Sequence, residues 1–285
     1  MRLLGRFALL AIVSGFSNLL FAQVDPSSSM YGGNEGVATA PNTQASINDS
    51  RAFSRIAFGA RISPLGIGAE VTTNLNPRIN LRASGSFFSQ GIQFNSNGFQ
   101  TTANLKLAST RTSIDVYPFR AGFRISPGAM FYNQNRVTAS DTIAGGSSFT
   151  LNGDTFYSAT ANQATGATPV NGTALLNLHA TRPAFTLTGG WGNEVVRRGH
   201  WSFPVEVGVG FVGAPKLDVN LRGWACHDQA QTECTDIANP NNSIAVQVQS
   251  DLNAEVSKWT SDLEPLKTYP IVSAGVSYSF RTGRR

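Results

Sequence analysis

Charge is scarce in this chain. Asp, Glu, Lys and Arg make up 14% of its 285 residues, whereas a soluble domain carries about a quarter. Beyond the N-terminus there is no run of about eighteen apolar residues, which argues against a helical membrane span. No basic run of five or more precedes Arg281–Arg285, so a nucleic-acid surface is not expected. Histidine occurs three times and cysteine twice. The histidines (His179, His200 and His227) are scattered, and none forms a short His-Ser constellation of the kind a lipid-modifying enzyme needs. A metal site would need more ligands than Cys226, Cys234 and His227 supply. In an oxidising compartment the default for that cysteine pair is a local disulfide. No cofactor is implied.

What is present is glycine, at 28 residues, and apolar residues placed on alternate positions. The first 22 residues read as an export signal: Arg2 and Arg6 are the basic start, Phe7 to Leu20 the apolar core, and Ala22 the small residue before the cut. The alternative is a membrane-anchor helix, for which the run is short. Losing Arg2 and Arg6 would lower the formal charge from +5 to +3. Residues 23–52, rich in Ser, Gly, Asn, Pro and Thr, read as a flexible leader. From 53 to 285 a period-two pattern predicts one β domain. Its clearest stretch is Trp201-Phe203-Val205-Val207-Val209-Phe211, with small, polar or proline residues between, and the alternation continues through Pro215, Leu217, Val219 and Leu221. Copies at 53–63, 65–75, 78–94, 101–118, 121–138, 178–192, 201–221 and 267–281 predict about eight strands. Short joints at Asn76-Pro77, Phe119-Arg120 and Arg197–His200 contrast with long ones at 139–177 and 222–266. The joint at Ser63–Gly66 is a tight turn on the long-loop side. Short turns at one end and long loops at the other suit an up-and-down antiparallel transmembrane β-barrel.

The charges sort with this pattern. If the apolar parity of each strand faces lipid, then Arg55, Arg61, Glu70, Arg82, Arg111, Asp115, Arg124 and Glu206 all face inward. Arg or Lys facing lipid at the bilayer midplane costs about 2–4 kcal/mol, so a membrane barrel requires such sorting. Lys106 takes the lipid parity, which places the start of its strand above the bilayer and the membrane part at Ala108 to Pro118. Turn lengths set Asp115 across from Arg124 and Glu70 across from Arg82, a lumen closed by Arg–carboxylate pairs. Solvated charges in a narrow wet lumen are the alternative, and five arginines against three acids leave that lumen net positive.

Residues 244–263 break the strand rule. Ile244, Val248, Leu252, Val256, Trp259 and Leu263 recur at helical spacing and predict one amphipathic helix in an extracellular loop, stopped near Pro265. It packs on the barrel mouth or on the other long loop, or else serves as a partner-binding or membrane-surface element; its charges do not favour anionic lipid. Gly208-x-Gly210-x-x-Gly213 fits a dinucleotide pattern, but Ala214-Pro215-Lys216 cannot begin the helix that pattern needs. Trp191, Trp201, Tyr117, Phe119 and Phe280 fall near the periplasmic ends, as an interfacial girdle would.

The last strand, Ser273-Ala274-Gly275-Val276-Ser277-Tyr278-Ser279-Phe280, resembles the C-terminal β-signal read by the outer-membrane assembly machinery, carried by Gly275, Tyr278 and Phe280. Five residues follow Phe280, a departure from the usual terminal aromatic. More widely, Pro64-Leu65-Gly66-Ile67-Gly68, Tyr117-Pro118-Phe119, Gly190-Trp191-Gly192-Asn193 and Gly213-Ala214-Pro215-Lys216 resemble small eight-stranded OmpA-like outer-membrane barrels, in particular uncharacterised members with a helical insertion before the last strand. The resemblance implies a fold and a location in the bacterial outer membrane, without a defined activity or a following peptidoglycan-binding domain. The expectation is a monomer with a structural or surface-interaction role, in contact with outer-membrane lipid and, through 139–177 and 222–266, with an extracellular partner. A small-solute channel is the alternative, and a lipid-modifying enzyme a more distant one.

Overall fold

The computed structural model describes residues 51–96, 99–119, 122–178, 183–196 and 199–282. The export signal and nearly all of the leader lie outside the described residues, as do Arg120, His179 and Arg197.

Alternation produces strands because successive side chains leave a strand on opposite faces. Here the faces are inverted relative to a water-soluble protein. In β10 (Ala184–Trp191) the buried residues include Thr186 and Thr188, while Phe185 and Leu187 are exposed. In β12 (Val205–Phe211) Glu206 is buried, and Val205, Val207 and Phe211 point outward.

Eight strands form a closed antiparallel circuit. β1 (Arg55–Ser63), β2 (Gly66–Asn76), β3 (Ile79–Ser96), β4 (Phe99–Val116) and β5 (Phe123–Asn133) pair in order. β5 then pairs with β10, β10 with β12, β12 with β16 (Thr268–Arg281), and β16 returns to β1. The short strand β11 (Trp201–Ser202) adds to β16. The tight turn between β1 and β2 depends on Gly66, whose φ is +111° and where a Cβ would lie 2.1 Å from the Phe87 carbonyl oxygen. No other residue fits there.

The described residues contain sixteen strands rather than about eight. The expected strand 121–138 stops at Asn133 and restarts as β6 (Arg136–Ile143). At this break the Asn135 side chain accepts from Ala108 N at 2.9 Å, and Gln134 N donates to the Ala108 carbonyl at 2.8 Å. The expected strand 201–221 is cut into β11, β12 and β13 (Lys216–Arg222). Pro204 and Pro215 have no N–H to give a ladder, and Val212 and Gly213 both donate to the Lys267 carbonyl. The expected strand 178–192 shortens to β10, with β9 (Asn171–Asn177) ahead of it. Beyond these breaks the wall continues: the far half of β4 pairs with β6, β6 with β9, and β9 with β13.

The two long connections are not open loops. They fold into a cap. β7 (Ser148–Leu151), β8 (Asp154–Ser158), β14 (Trp224–Cys226) and β15 (Cys234–Asp236) form a second sheet. The expected helix forms as α1 (Ser243–Asp262), its first turn capped by the Asn242 side chain accepting from Ile244 N at 2.9 Å. Ile244, Val248 and Leu252 bury one helix face against Phe149, Leu151, Phe156, Val170, Leu221 and Ile237. Each such aliphatic side chain contributes about 1.5–3 kcal/mol when fully buried. Cys226 and Cys234 face each other across β14 and β15 and form the disulfide. Inside that ring, Thr232 and Glu233 donate to the Asp228 carboxylate and hold it below the usual carboxylate range. The cap therefore has an apolar interior and the barrel a charged one.

Candidate functional site

Among the described residues, charge is concentrated away from solvent in the barrel interior. All eight residues expected inside are there, and none is more than 7% exposed. They come from β1 (Arg55, Arg61), β2 (Glu70), β3 (Arg82), β4 (Arg111, Asp115), β5 (Arg124) and β12 (Glu206). β10 and β16 contribute small buried hydroxyls instead, among them Thr186, Thr188, Ser273 and Ser277, and so leave room for the long side chains.

Two residues act as hubs. Arg82 lies 2.6 Å from Glu206, 2.9 Å from Asp115, 3.5 Å from Glu194 and 3.7 Å from Glu70. Glu206 in turn meets Arg61 at 3.9 Å, Arg124 at 3.4 Å and Arg111 at close contact, besides Arg82. Arg61 reaches Glu70 at 2.7 Å, and Arg124 reaches Glu194 at 2.8 Å. Each of Arg61, Glu70, Arg82, Arg111, Asp115, Arg124, Glu194 and Glu206 touches an opposite charge, which is the condition under which buried ions are tolerated.

One expected pairing and one expected register are corrected. Asp115 does not pair with Arg124; its partner is Arg82. Glu70 is not directly across from Arg82, because the ladder sets Thr72 opposite Arg82 and Glu70 opposite Ser84. In both hairpins the register is displaced by two residues. The β2–β3 turn is irregular between Asn74 and Asn76, and six residues separate β4 from β5. A slip of two keeps every side chain on its own face, so the inward set survives while its partners change.

Glu194 was absent from the expected set. It lies in the connection after β10, where parity says nothing about direction, and it is fully buried. It adds a fourth acid, so the reading of five arginines against three acids does not hold. The segment Gly192–Val196 packs against inward side chains at the short-turn end of the barrel. Gly192 O accepts from Arg124 at 2.8 Å, Asn193 Oδ1 from Asn80 at 3.0 Å, Glu194 from Thr72 at 3.2 Å, and Val196 O from Arg55. The signal available in the sequence was Trp191-Gly192-Asn193: Gly192 takes φ +99° where a Cβ would lie 2.9 Å from Pro204 Cα. Such a glycine turns the chain back on itself.

Toward the long-loop end, Met130, Ala184 and Val212 with Leu65 and Tyr269 form a small apolar cluster. Between it and the hubs lies a cavity of about 20 Å³ lined by Arg61, Arg111, Ser84, Ser86, Ser109 and Ser273 among others. Its size suits about one water. Arg61 Nε and Arg111 Nη1 are buried without a protein acceptor, and buried donors of that kind are normally met by ordered water.

Of the terminal-strand residues, Gly275 shares the lumen face, and Tyr278 and Phe280 lie on the outer one. Gly275 lies opposite Arg61 in the β1–β16 ladder, Tyr278 stacks on His200 at 5.0 Å, and Phe280 packs on Phe58 at 6.2 Å. Trp191, Trp201, Phe119 and Phe280 are exposed, while Tyr117 is buried. Tyr117 therefore leaves the expected girdle. Its backbone N–H donates to the Arg78 carbonyl at 2.8 Å, and its hydroxyl faces Asn80. Among the described residues no group of three His, Cys, Asp or Glu is placed to hold a metal ion.

No protein-family model and no curated protein matches this chain. Structural likeness extends to the crystal structure of Acinetobacter baumannii CarO, at 18% identity over 79% of this chain and 97% of that one, with a TM-score of 0.47. It extends equally to A. baumannii CarO2, at 17% identity over 81% of this chain and 100% of that one, with a TM-score of 0.47.

Proposed function

We propose that this chain is a monomeric outer-membrane β-barrel of eight spanning strands, exported with loss of residues 1–22, whose lumen is sealed and whose cap is a non-enzymatic surface for outside contacts. The observation that carries the reading is the inversion of polarity: arginines and carboxylates are buried, while Phe58, Ile62, Ile67, Phe185, Val207 and others cover the wall at more than 50% exposure. In water that wall is a large apolar patch; in hydrocarbon it is the stable arrangement. No described helix is long and apolar enough to cross a membrane, and strands of nine to eleven residues such as β1 and β2 match a bilayer crossing of about that length.

β3 and β4 support a boundary. Within the barrel their inward faces carry Arg82, Ser84, Ser86, Ser109 and Arg111, and their outward faces Leu81, Phe87, Ile114 and Ala108. Past the ladder pair Phe87–Ala108 the faces exchange character: inward come Phe88, Ile92, Leu105 and Leu107, interrupted by Gln90, and outward Ser89, Gln93, Asn104 and Lys106. A sheet whose apolar face changes sides has passed from lipid into water. Lys106, expected above the bilayer, lies on the water side of this boundary. The likeness to OmpA-like barrels and the β-signal at Gly275, Tyr278 and Phe280 belong to the same reading.

Planar-bilayer recording tests the sealed lumen. The intact protein is expected to give no steady ohmic current, and a Glu206→Gln, Glu194→Gln double variant to give flickering openings. Stable current from the intact protein would establish the small-solute channel instead, a reading favoured by the serine-lined cavity above the hubs.

A further inference from the structure

Three basic residues from three different strands are brought into one row by register. Lys106 of β4 is directly opposite Arg136 of β6; Arg136 is opposite Asn177 of β9; Asn177 is opposite Lys216 of β13. The row spans three inter-strand steps, about 14 Å. It lies on the outward face, because the inward face of β13 (Val219 and Leu221) packs against the cap core. Lys106 and Lys216 are exposed and Arg136 is half-buried. None of the three has an ion-pair partner among the described residues.

The position of the row matters as much as its charge. Each cation comes just after the last outward apolar or aromatic residue of its stretch of wall. Lys106 is the next outward position after Ala108, Arg136 follows exposed Phe131 and Tyr132, and Lys216 follows exposed Phe211. An aromatic rim with basic side chains immediately beyond it is the level of lipid headgroups. Like charges directly opposite in a ladder are destabilising, so the Lys106–Arg136 pair is a local cost that an anion between them removes. The next row outward holds Asn104, Thr138, Leu175 and Asp218. Asp218 is the one acid on this face among the described residues, and Arg222, further out, adds a fourth cation.

We infer that Lys106, Arg136 and Lys216 form a docking surface for the phosphate groups of an anionic outer-leaflet lipid, held against the outside of the wall where the barrel leaves the bilayer. This rests on the membrane reading above. Arginine and lysine differ usefully here: Arg136 offers a fixed fork to one phosphate, while the flanking lysines act as mobile point charges.

The test uses the full mature protein in lipid nanodiscs, with native mass spectrometry of retained lipid. The probes are diphosphorylated lipid A, its dephosphorylated form, and inorganic phosphate. Diphosphorylated lipid A is expected to stay bound to the wild type. The K106Q/R136Q/K216Q variant is expected to bind it on the order of 100-fold more weakly, at about fivefold per charge near the surface. D218N is expected to bind it more tightly. Equal retention of the dephosphorylated lipid, or of inorganic phosphate alone, overturns the proposal. So does unchanged retention by a triple variant that still shows a heat-dependent gel shift. Should the variant fail to fold, added salt serves in its place: wild-type retention must fall steeply with ionic strength, and indifference to salt overturns the proposal. A wild type that remains in water without detergent sinks the barrel reading itself, and the lipid row with it.

Discussion

Replacing Glu206 by glutamine removes one negative charge that four arginines share, and its cost follows from what each is left with. Arg82 keeps Glu70, Asp115 and Glu194; Arg124 keeps Glu194; Arg61 keeps Glu70 at 2.7 Å. Arg111 keeps no carboxylate, since Glu206 is its ion-pair partner among the described residues. Breaking a buried pair by removing one partner costs about 3–5 kcal/mol. Glu70→Gln is the milder control, because each arginine it touches retains another acid. Adding Arg111→Met to Glu206→Gln removes the orphaned cation and should recover part of the loss, with a coupling of about 0.5–3 kcal/mol. The assay is reversible urea unfolding from lipid vesicles, followed by tryptophan emission of Trp191 and Trp201. If Glu206→Gln unfolds within about 0.5 kcal/mol of wild type, a figure typical of surface substitutions, the hub is not a structural element and the argument fails.

Leu187→Arg, at a half-exposed outward position in β10, should destabilise the vesicle-inserted protein by about 2–4 kcal/mol; a neutral result would mean that face meets water. Leu252→Ala in α1 should cost the cap about 2–5 kcal/mol and raise its protease sensitivity, while the heat-dependent gel shift of the barrel stays unchanged. Replacing Cys226 and Cys234 by serine opens a ring with a sequence separation of 8. It should weaken the cap by about 2–3 kcal/mol, read as faster amide exchange across 224–236; unchanged exchange there counts against the cap depending on that link.

Which face of each strand turns inward was legible in the sequence because it depends only on parity. Arg61, Glu70, Arg82, Arg111, Asp115, Arg124 and Glu206 are buried whether or not a turn is counted correctly, since the errors at Asn76–Ile79 and between Val116 and Phe123 were steps of two. Partner identity was not legible for the same reason: a shift of two moves the opposing residue by about 7 Å along the strand. Glu194 lies outside any strand, so no periodicity points to it. The breaks at Gln134 and Gly213 interrupt alternation only briefly and read as continuous strand. The second sheet of the cap was missed although one signal was present. Asn152-Gly153 joins β7 to β8 with φ of 48° and 106°, the pairing most diagnostic of a two-residue hairpin, yet its flanking strands of four and five residues are too short to show a period. The helix at 243–262 was visible because twenty residues hold several turns of the 3.6 pattern.

The closed interior has a consequence for assembly. On the proposed reading, with Arg82 and Glu206 joined across the middle and Gly192–Val196 folded into one mouth, the lumen leaves no passage for polypeptide. The cap, which needs water around a greasy centre, lies at the far end from both chain ends of the barrel. If the chain is the sealed membrane barrel proposed above, segments 139–177 and 222–266 cross the membrane before the hubs meet. The arginine–carboxylate knot is then a latch that shuts only after its cargo has gone through.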